Sequence, residues 1–269
     1  MLIVLSPAKT LDYERAVPTE HHTLPALTHR SSELIEVLRR LTPADLSQLM
    51  DLSDPLAALN VARYQAWQPE YTAANSRQAV FAFMGDVYEG LDAASLDAKG
   101  IDYLQSRVRI LSGLYGVLRP LDRMQPYRLE MGTRLATPAG RNLYDFWGDT
   151  VTDMLSAHLA ETPDPVLVNL ASDEYFKVVR PKRLKARVVE CVFQERKGEG
   201  YKIVSFYAKR ARGLMARYAA SIAATQPEVL RDFDREGYRF APEVSDDSRY
   251  VFRREVPPAK VTKAKRLTS

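Results

Sequence analysis

The sequence is poor in the residues that form disulfides and bind transition metals. Among its 269 residues it has one cysteine, Cys191, and four histidines. A single cysteine excludes an internal disulfide and indicates a reducing compartment, and this composition disfavours a zinc cluster. Cys191 lies in an apolar strand pattern with no histidine nearby, so we predict a core position for it and not a nucleophilic role.

Sequence signatures of several common enzyme classes are also missing. The chain contains no Walker A motif, no GxGxxG after its first predicted strand, no GxSxG elbow and no HExxH motif. These absences disfavour a P-loop nucleotide hydrolase, a dinucleotide-binding fold and a serine hydrolase. The sequence therefore assigns no catalytic residue, and it predicts no cofactor and no metal site.

The amino-terminal residues do not have the pattern of a targeting segment. The first ten residues, MLIVLSPAKT, lack a basic region and contain too few apolar residues for a signal peptide or a membrane span. We therefore predict a cytoplasmic protein without a membrane partner. The sequence does not indicate its oligomeric state.

The composition is that of a globular protein, with 46% hydrophobic and 27% charged residues. It suits one large or two smaller domains, and no low-complexity linker forces a boundary. Apolar runs predict strands at 2–5, 166–170, 187–195 and 201–207, and helical spacing predicts helices at 32–40, 101–111 and 208–222. Residues 257–269 are basic and lack an apolar period, which predicts a disordered tail.

An irregular segment occupies residues 111–132. It contains Gly113 and Gly116, two X-Pro steps and several charges, so it is neither a long helix nor a long strand. One hypothesis is a helix, a hairpin around Ser112 to Gly116 and a short helix that offer backbone N–H groups to a phosphate. The alternative is a segment that only links two parts of the core.

Basic residues are concentrated between residues 177 and 217. This segment contains thirteen Lys or Arg and only three Glu, although the net charge of the chain is only +4. A local cluster of positive charges of this kind can neutralise the charges of phosphate groups. The helix predicted at 208–222 has an apolar face and an opposite basic face. The predicted phosphate-binding residues are Lys9, Ser112, Gly113, Gly116, Arg119, Arg128, Lys177, Lys209, Arg210, Arg212 and Arg217.

A second set of polar residues supports a different interpretation. Asp86, Asp122, Glu130, Asn169 and Glu174 could form a polar pocket with the same cations and make an enzyme for a small anionic or nucleotide-like substrate. Asn169 either fixes a neighbouring loop or faces this site. A third hypothesis is iron handling, because carboxylates such as Asp86 and Glu130 suit a hard or borderline metal.

Eight motifs in chain order resemble the YaaA family of bacterial peroxide-stress-resistance proteins. They cover nearly the whole chain up to about residue 255, and only the tail lies outside them. The motifs are SPAKTLD (6–12), GDVY (85–88), LSGLYGVLRPLD (111–122), PYRLEMG (126–132), FWGD (146–149), NLASDEYFK (169–177), SFYAK (205–209) and RGLM (212–215).

The resemblance implies a mixed α/β fold in one compact domain, residues 1–256, in which helices surround a mixed β-sheet. It also implies a basic cleft, a helix-hairpin-helix-like element, binding to double-stranded DNA, protection from peroxide damage and low free intracellular iron. It supplies no catalytic residue. The hairpin of such elements has glycines two apart, whereas Gly113 and Gly116 are three apart.

Overall fold

The computed structural model describes residues 1–255. Most strands belong to one eight-stranded sheet, and two short pairs lie apart from it. The strands are β1 (Leu2–Leu5), β2 (Thr10–Leu11), β3 (Arg77–Gln78), β4 (Phe83–Met84), β5 (Val108–Ser112), β6 (Gly116–Leu118), β7 (Arg123–Met124), β8 (Val166–Leu170), β9 (Arg187–Lys197), β10 (Gly200–Lys202), β11 (Arg239–Phe240) and β12 (Arg249–Arg254).

Helices surround the large sheet. The α-helices are α1 (Thr28–Leu38), α2 (Pro43–Met50), α3 (Asp54–Ala66), α4 (Ala79–Ala82), α5 (Asp86–Leu91), α6 (Ala98–Arg107), α7 (Leu143–Trp147), α8 (Thr150–Leu159), α9 (Asp173–Phe176) and α10 (Ser205–Ser221). Short 3-10 helices span Ala93–Ser95, Pro181–Arg183, Pro227–Asp232, Arg235–Gly237 and Pro242–Val244.

The large sheet has a parallel centre and antiparallel margins. Its strand order is β11-β12-β9-β8-β1-β5-β6, and β10 pairs with β9. Neighbours from β12 to β5 are parallel, whereas β6, β10 and β11 run antiparallel to their partners. This arrangement confirms the predicted mixed sheet and a single α/β domain.

Strand β1 lies at the centre of the parallel part. Ile3, Val4 and Leu5 are fully buried, which is typical of a strand with both faces covered. Val4 pairs with Arg109 on β5 and with Asn169 on β8. The predicted strands at 2–5 and 166–170 are therefore neighbours, and their carboxyl ends lie side by side.

Helices α5 and α10 pack against each other through two glycines. A Cβ added to Gly213 would lie 1.8 Å from the carbonyl oxygen of Val87, and one added to Gly90 would lie 2.2 Å from that of Arg210. Only glycine allows backbones to approach this closely. The contact fixes α5 and α10 as two adjacent walls at the carboxyl edge of the sheet.

Two predicted elements are wrong at their ends. The predicted helix at 101–111 stops with α6 at Arg107, and Val108–Ser112 forms β5 because this apolar run pairs with β1. The strand predicted at 201–207 is shorter than expected, because β10 ends at Lys202 and α10 begins at Ser205. Tertiary pairing outweighs local helical spacing in the first element.

The segment expected to form a helix-hairpin-helix is a β-hairpin. Ser112 pairs with Gly116 across antiparallel strands β5 and β6, and strands flank the turn on both sides. Gly116 has a φ of 68°, a left-handed conformation that favours glycine. The prediction of helices on either side of Ser112 to Gly116 was therefore wrong.

Within residues 1–255, no helix combines the length and the apolar character needed to cross a membrane. The basic tail predicted at 257–269 lies outside the described residues.

Candidate functional site

A crevice opens at the carboxyl ends of β1 and β8. From β1 the chain moves to β5 on one side, whereas from β8 it continues to β9 on the other side. The connections therefore diverge between β1 and β8, which is the place where open α/β sheets bind ligands. The crevice has a volume of about 490 Å³, within the range of small-molecule sites.

Two serines join the strand ends at the base of the crevice. The Ser172 backbone N–H donates to Ser6 Oγ at 2.9 Å, and Ser6 Oγ lies 3.3 Å from Ser172 Oγ. Tyr88 on α5 donates its hydroxyl to the Ser6 carbonyl at 3.0 Å. These bonds hold the loops after β1 and β8 and the helix α5 in fixed relative positions.

Glu130 forms ion pairs with two of the predicted cations beside the crevice. Lys9 Nζ and Arg128 Nη2 both lie 3.1 Å from Glu130 Oε1. Glu174 reaches the same loop from the other side, since its Oε1 accepts the Gly132 backbone N–H at 3.0 Å. The structure thus brings together Lys9, Arg128, Glu130 and Glu174 from separate segments.

Arg212 on α10 contributes a cation without a carboxylate partner. The residue lines the crevice and is half-buried, and its buried Nε has no hydrogen-bond partner among residues 1–255. Burial lowers the pKa of its guanidinium, and the charges of Asp173 and Glu190 oppose this change. A desolvated, unpaired guanidinium is suited to an anionic ligand.

Two other predicted cations of α10, Arg210 and Arg217, face other parts of the protein. Arg210 Nη2 lies 2.7 Å from Glu236 Oε1, and Arg217 Nη1 donates to the Asp92 carbonyl at 2.8 Å. Lys209, in contrast, is exposed and lines the crevice. The prediction of one free basic face on this helix is therefore corrected, because tertiary ion pairs divide its cations.

Arg119 and Asp122 lie away from the crevice. They form an ion pair of 3.0 Å, and the pairing of Leu118 with Ile110 returns the chain towards the amino end of β5. Burial raises the pKa of the Asp122 carboxyl against the lowering effect of its hydrogen bonds from Thr23 and Arg119. This pair stabilises a loop and does not line the crevice.

Asn169 and Lys177 flank the turn after β8. Asn169 is buried, and its Oδ1 accepts the Ala171 backbone N–H at 2.9 Å, so of its two predicted roles it has the one that fixes a loop. Lys177 is exposed, and its Nζ lies 5.0 Å from the centre of the Tyr144 ring. Lys177 therefore remains at the surface near the crevice.

Ser112, Gly113 and Gly116 lie in the core and not at a phosphate-accessible surface. The Ser112 hydroxyl lies 2.6 Å from Tyr127 Oη and accepts the Tyr115 backbone N–H at 2.9 Å. Gly113 packs so closely that an added Cβ would lie 2.2 Å from the Leu129 carbonyl oxygen. The predicted phosphate contacts of these residues are corrected, because burial leaves no room for a ligand.

The crevice is also not uniformly basic. Its charged lining residues are three cations and four carboxylates, namely Lys9, Lys209, Arg212, Asp86, Glu130, Asp173 and Glu174. The part of the chain that the structure describes contains no group of three or more His, Cys, Asp or Glu residues that could hold a metal ion. The charges instead suit a ligand with both an anionic and a hydrogen-bond-donating part.

Comparisons with known proteins identify the family. The family model described as peroxide stress protein YaaA matches residues 1–244. A UPF0246 protein of Ralstonia nicotianae is 64% identical over 255 residues, which are 95% of this chain and 99% of that protein. A UPF0246 protein of Ralstonia pickettii is 62% identical over 95% of this chain and 100% of its own length.

This chain belongs to the YaaA family. A UPF0246 protein of a Janthinobacterium species shows 60% identity over 95% of the chain and 99% of its own length. The predicted resemblance is therefore confirmed, and the family places the protein in the response to oxidative stress.

In this YaaA-family chain the only cysteine is not suited to react with peroxide. Cys191 on β9 is buried, and burial raises the pKa of its thiol to about 12. Oxidation by peroxide requires the thiolate form and solvent access. The buried Cys191 is therefore not placed for thiol peroxidase chemistry.

Ser6, Ser172 and Asp173 of this family member were missed as site residues by reasoning from the sequence. All three line the crevice. The available signal was their position, since Ser6 and Ser172 are the first hydroxyl residues after two buried strands and functional residues concentrate in such loops.

Proposed function

We propose that the protein acts in the peroxide response as a cytoplasmic DNA-binding protein and contacts double-stranded DNA through the carboxyl edge of its central sheet. The observation that carries this proposal is that, within residues 177–217 of the described chain, most arginines form ion pairs whereas the lysines do not. Six of the seven arginines there form ion pairs with carboxylates, and they are Arg180, Arg183, Arg187, Arg196, Arg210 and Arg217.

The six lysines of this segment are exposed, and none forms an ion pair within the described residues. They are Lys177, Lys182, Lys185, Lys197, Lys202 and Lys209. Lys177 and Lys209 follow β8 and β9 in the chain, Lys197 is the last residue of β9, and Lys202 lies on β10. Lys9, which follows β1 and pairs with Glu130, is also exposed, with 66% of its side chain accessible. Exposed lysines without a carboxylate partner are available to replace the counterions of phosphates.

A salt titration of DNA binding tests this proposal. The double variant Lys177→Ala/Lys209→Ala removes two of these charges and should weaken binding to a short fluorescent duplex in an anisotropy assay. Each lost phosphate contact reduces the slope of log K against log salt by about 0.9, so the slope should fall by about 2.

The matched control is Lys182→Ala/Lys185→Ala, which removes the same charge near the amino end of β9. This variant should bind the duplex with nearly the slope of the unaltered protein. Equal losses in both double variants would show attraction by net charge alone and would refute the carboxyl edge as the DNA-binding surface.

A second candidate function is an enzyme or binding protein for a small anionic, nucleotide-like ligand. The unpaired Arg212 guanidinium in the crevice favours it, because a half-buried charge needs a partner. Ser6 and Ser172 offer hydroxyl groups at the same place, and Asp86 or Glu174 could accept hydrogen bonds from a sugar.

ADP and inorganic phosphate serve as probes of the crevice in calorimetric titrations. Arg212→Met should weaken saturable binding by about 10- to 100-fold, since hydrogen bonds to charged groups contribute about 1.5–3 kcal/mol. Lys182→Ala, which alters an exposed residue outside the crevice lining, is the control and should leave the affinity unchanged. Undiminished binding in Arg212→Met would contradict this function.

The family resemblance also implies protection of DNA and protein from oxidative damage and a lower level of free iron. We propose that both follow from DNA binding during peroxide stress. The iron effect can be tested by measuring chelatable iron in peroxide-treated cells that carry Lys177→Ala/Lys209→Ala, which should lose the effect together with DNA binding.

A further inference from the structure

Arg109 is a buried guanidinium without an acidic partner. It lies on β5, is 5% exposed, and forms no ion pair within residues 1–255. Its Nη1 donates to the carbonyls of Gln105 and Val108 at 3.1 and 2.7 Å, and its Nε lies 3.4 Å from His158 Nδ1. Buried charges are normally paired, so the position of this cation requires an explanation.

A cavity of about 220 Å³ lies next to Arg109, at the amino ends of β1 and β5 and thus at the opposite edge of the sheet from the crevice. Polar residues of its lining are Ser106, Arg107, Arg109, His158, Glu161 and Thr162. Arg107 also forms no ion pair within the described chain, and its Nη1 lies 3.4 Å from the Met1 carbonyl. Glu161 is the one carboxylate among these lining residues, and it is exposed.

His158 adds a donor to the two guanidinium groups. Because its Nδ1 faces the Arg109 Nε–H, Nδ1 is the acceptor and the neutral ring carries its proton on Nε2. Nε2 has no hydrogen-bond partner among residues 1–255. The hydroxyls of Ser106 and Thr162 already donate to the carbonyls of Tyr103 and Leu159.

We propose that this cavity binds a small tetrahedral oxyanion of the phosphate or sulfate class. The anion would accept hydrogen bonds from the free N–H groups of Arg107 and Arg109 and from His158 Nε2, and it would neutralise the buried charge. A cavity of 220 Å³ is smaller than the roughly 300–1,000 Å³ of sites for drug-sized ligands. The size therefore favours a free inorganic anion over a nucleotide, and this site is independent of the DNA-binding edge.

The charges around Arg109 support the same assignment. Burial and the neighbouring Arg119 lower the pKa of Arg109 to about 10, while Asp122 and Glu161 oppose the shift only from a distance. An anion inside the cavity would supply the close negative charge that these two carboxylates do not.

Sulfate is the appropriate probe, since it keeps one charge state across the working pH range. Sodium sulfate replaces sodium chloride at constant ionic strength, and the ring signals of His158 are followed by NMR. We expect a saturable shift of the His158 signals. Arg107→Met should raise the dissociation constant for sulfate by about tenfold or more, whereas Lys99→Met, on the same helix with the same loss of charge, should not.

Arg107→Lys keeps the positive charge but removes the guanidinium geometry, and it can be measured if Arg107→Met folds poorly. The lysine cannot reproduce the guanidinium fork, so it should bind sulfate more weakly than the unaltered protein. Acetate should bind more weakly than phosphate or sulfate. His158 signals that do not respond to sulfate, or equal affinities in the Arg107 and Lys99 variants, would overturn the assignment.

Discussion

Replacing Gly213 with alanine should destabilise the protein strongly, although it adds only one methyl group. The added Cβ would lie 1.8 Å from the Val87 carbonyl oxygen and 2.7 Å from the Leu91 backbone nitrogen. Both obstacles are backbone atoms of α5, so the helices must separate. Overpacking typically costs about 1–3 kcal/mol, and the rigid obstacle places Gly213→Ala near the upper end, at about 2–3 kcal/mol.

Thermal unfolding followed by circular dichroism measures this effect. At about 2–4 °C per kcal/mol, the midpoint should fall by about 4–12 °C. Gly200→Ala is the matched control, because an added Cβ there meets no atom within 4 Å, and it should leave the midpoint nearly unchanged. Equal midpoints for Gly213→Ala and Gly200→Ala would refute the argument that the α5–α10 contact has no room for a side chain.

Three further predictions concern buried ionisable groups. Arg254→Met should cost about 3–5 kcal/mol in urea unfolding because it leaves Glu195 buried and unpaired, and the double variant with Glu195→Gln should be more stable than the single one. Burial and the Arg109 charge lower the pKa of His158 below its ordinary value of 6.5. The His158 ring therefore binds a proton more readily in the unfolded chain than in the folded protein. The free energy of unfolding should fall as the pH drops from 7 through the pKa of His158 in the folded state, and His158→Gln should reduce this loss of stability at acid pH. The Cys191 thiol, with a pKa raised to about 12, should react slowly with a thiol reagent such as DTNB in the folded protein and quickly in urea; fast reaction without urea would contradict its burial.

The sequence predicted the centre of the sheet better than the hairpin beside it. Leu2–Leu5 and Val166–Leu170 are continuous apolar runs bounded by polar residues, and both are buried parallel strands. Val108–Ser112 also has apolar residues with helical spacing, so its local pattern favoured a helix. Its strand conformation depends on pairing with β1, about 100 residues away in the chain, which no local pattern encodes.

The candidate site was predicted in part for the same reason. Lys9 and Glu174 follow predicted buried strands, and this position was sufficient to select them. The burial of Arg212 could not be read from the sequence, because the helical wheel places it, like Arg210, outside the apolar face of the helix. The close contact of α10 with α5 turns Arg212 into the crevice, and it depends on the pairing of two distant glycines, Gly90 and Gly213.

The central position of β1 also affects how the chain folds during synthesis. Strand β1 leaves the ribosome before its partners, β5 and β8, which are made 100 and more residues later. At about 5–20 residues per second, β8 follows after roughly 10–30 s, and until then an apolar strand has open edges. Chains that terminate before Val166 would keep one edge open permanently, so such fragments are expected to aggregate and to require chaperones.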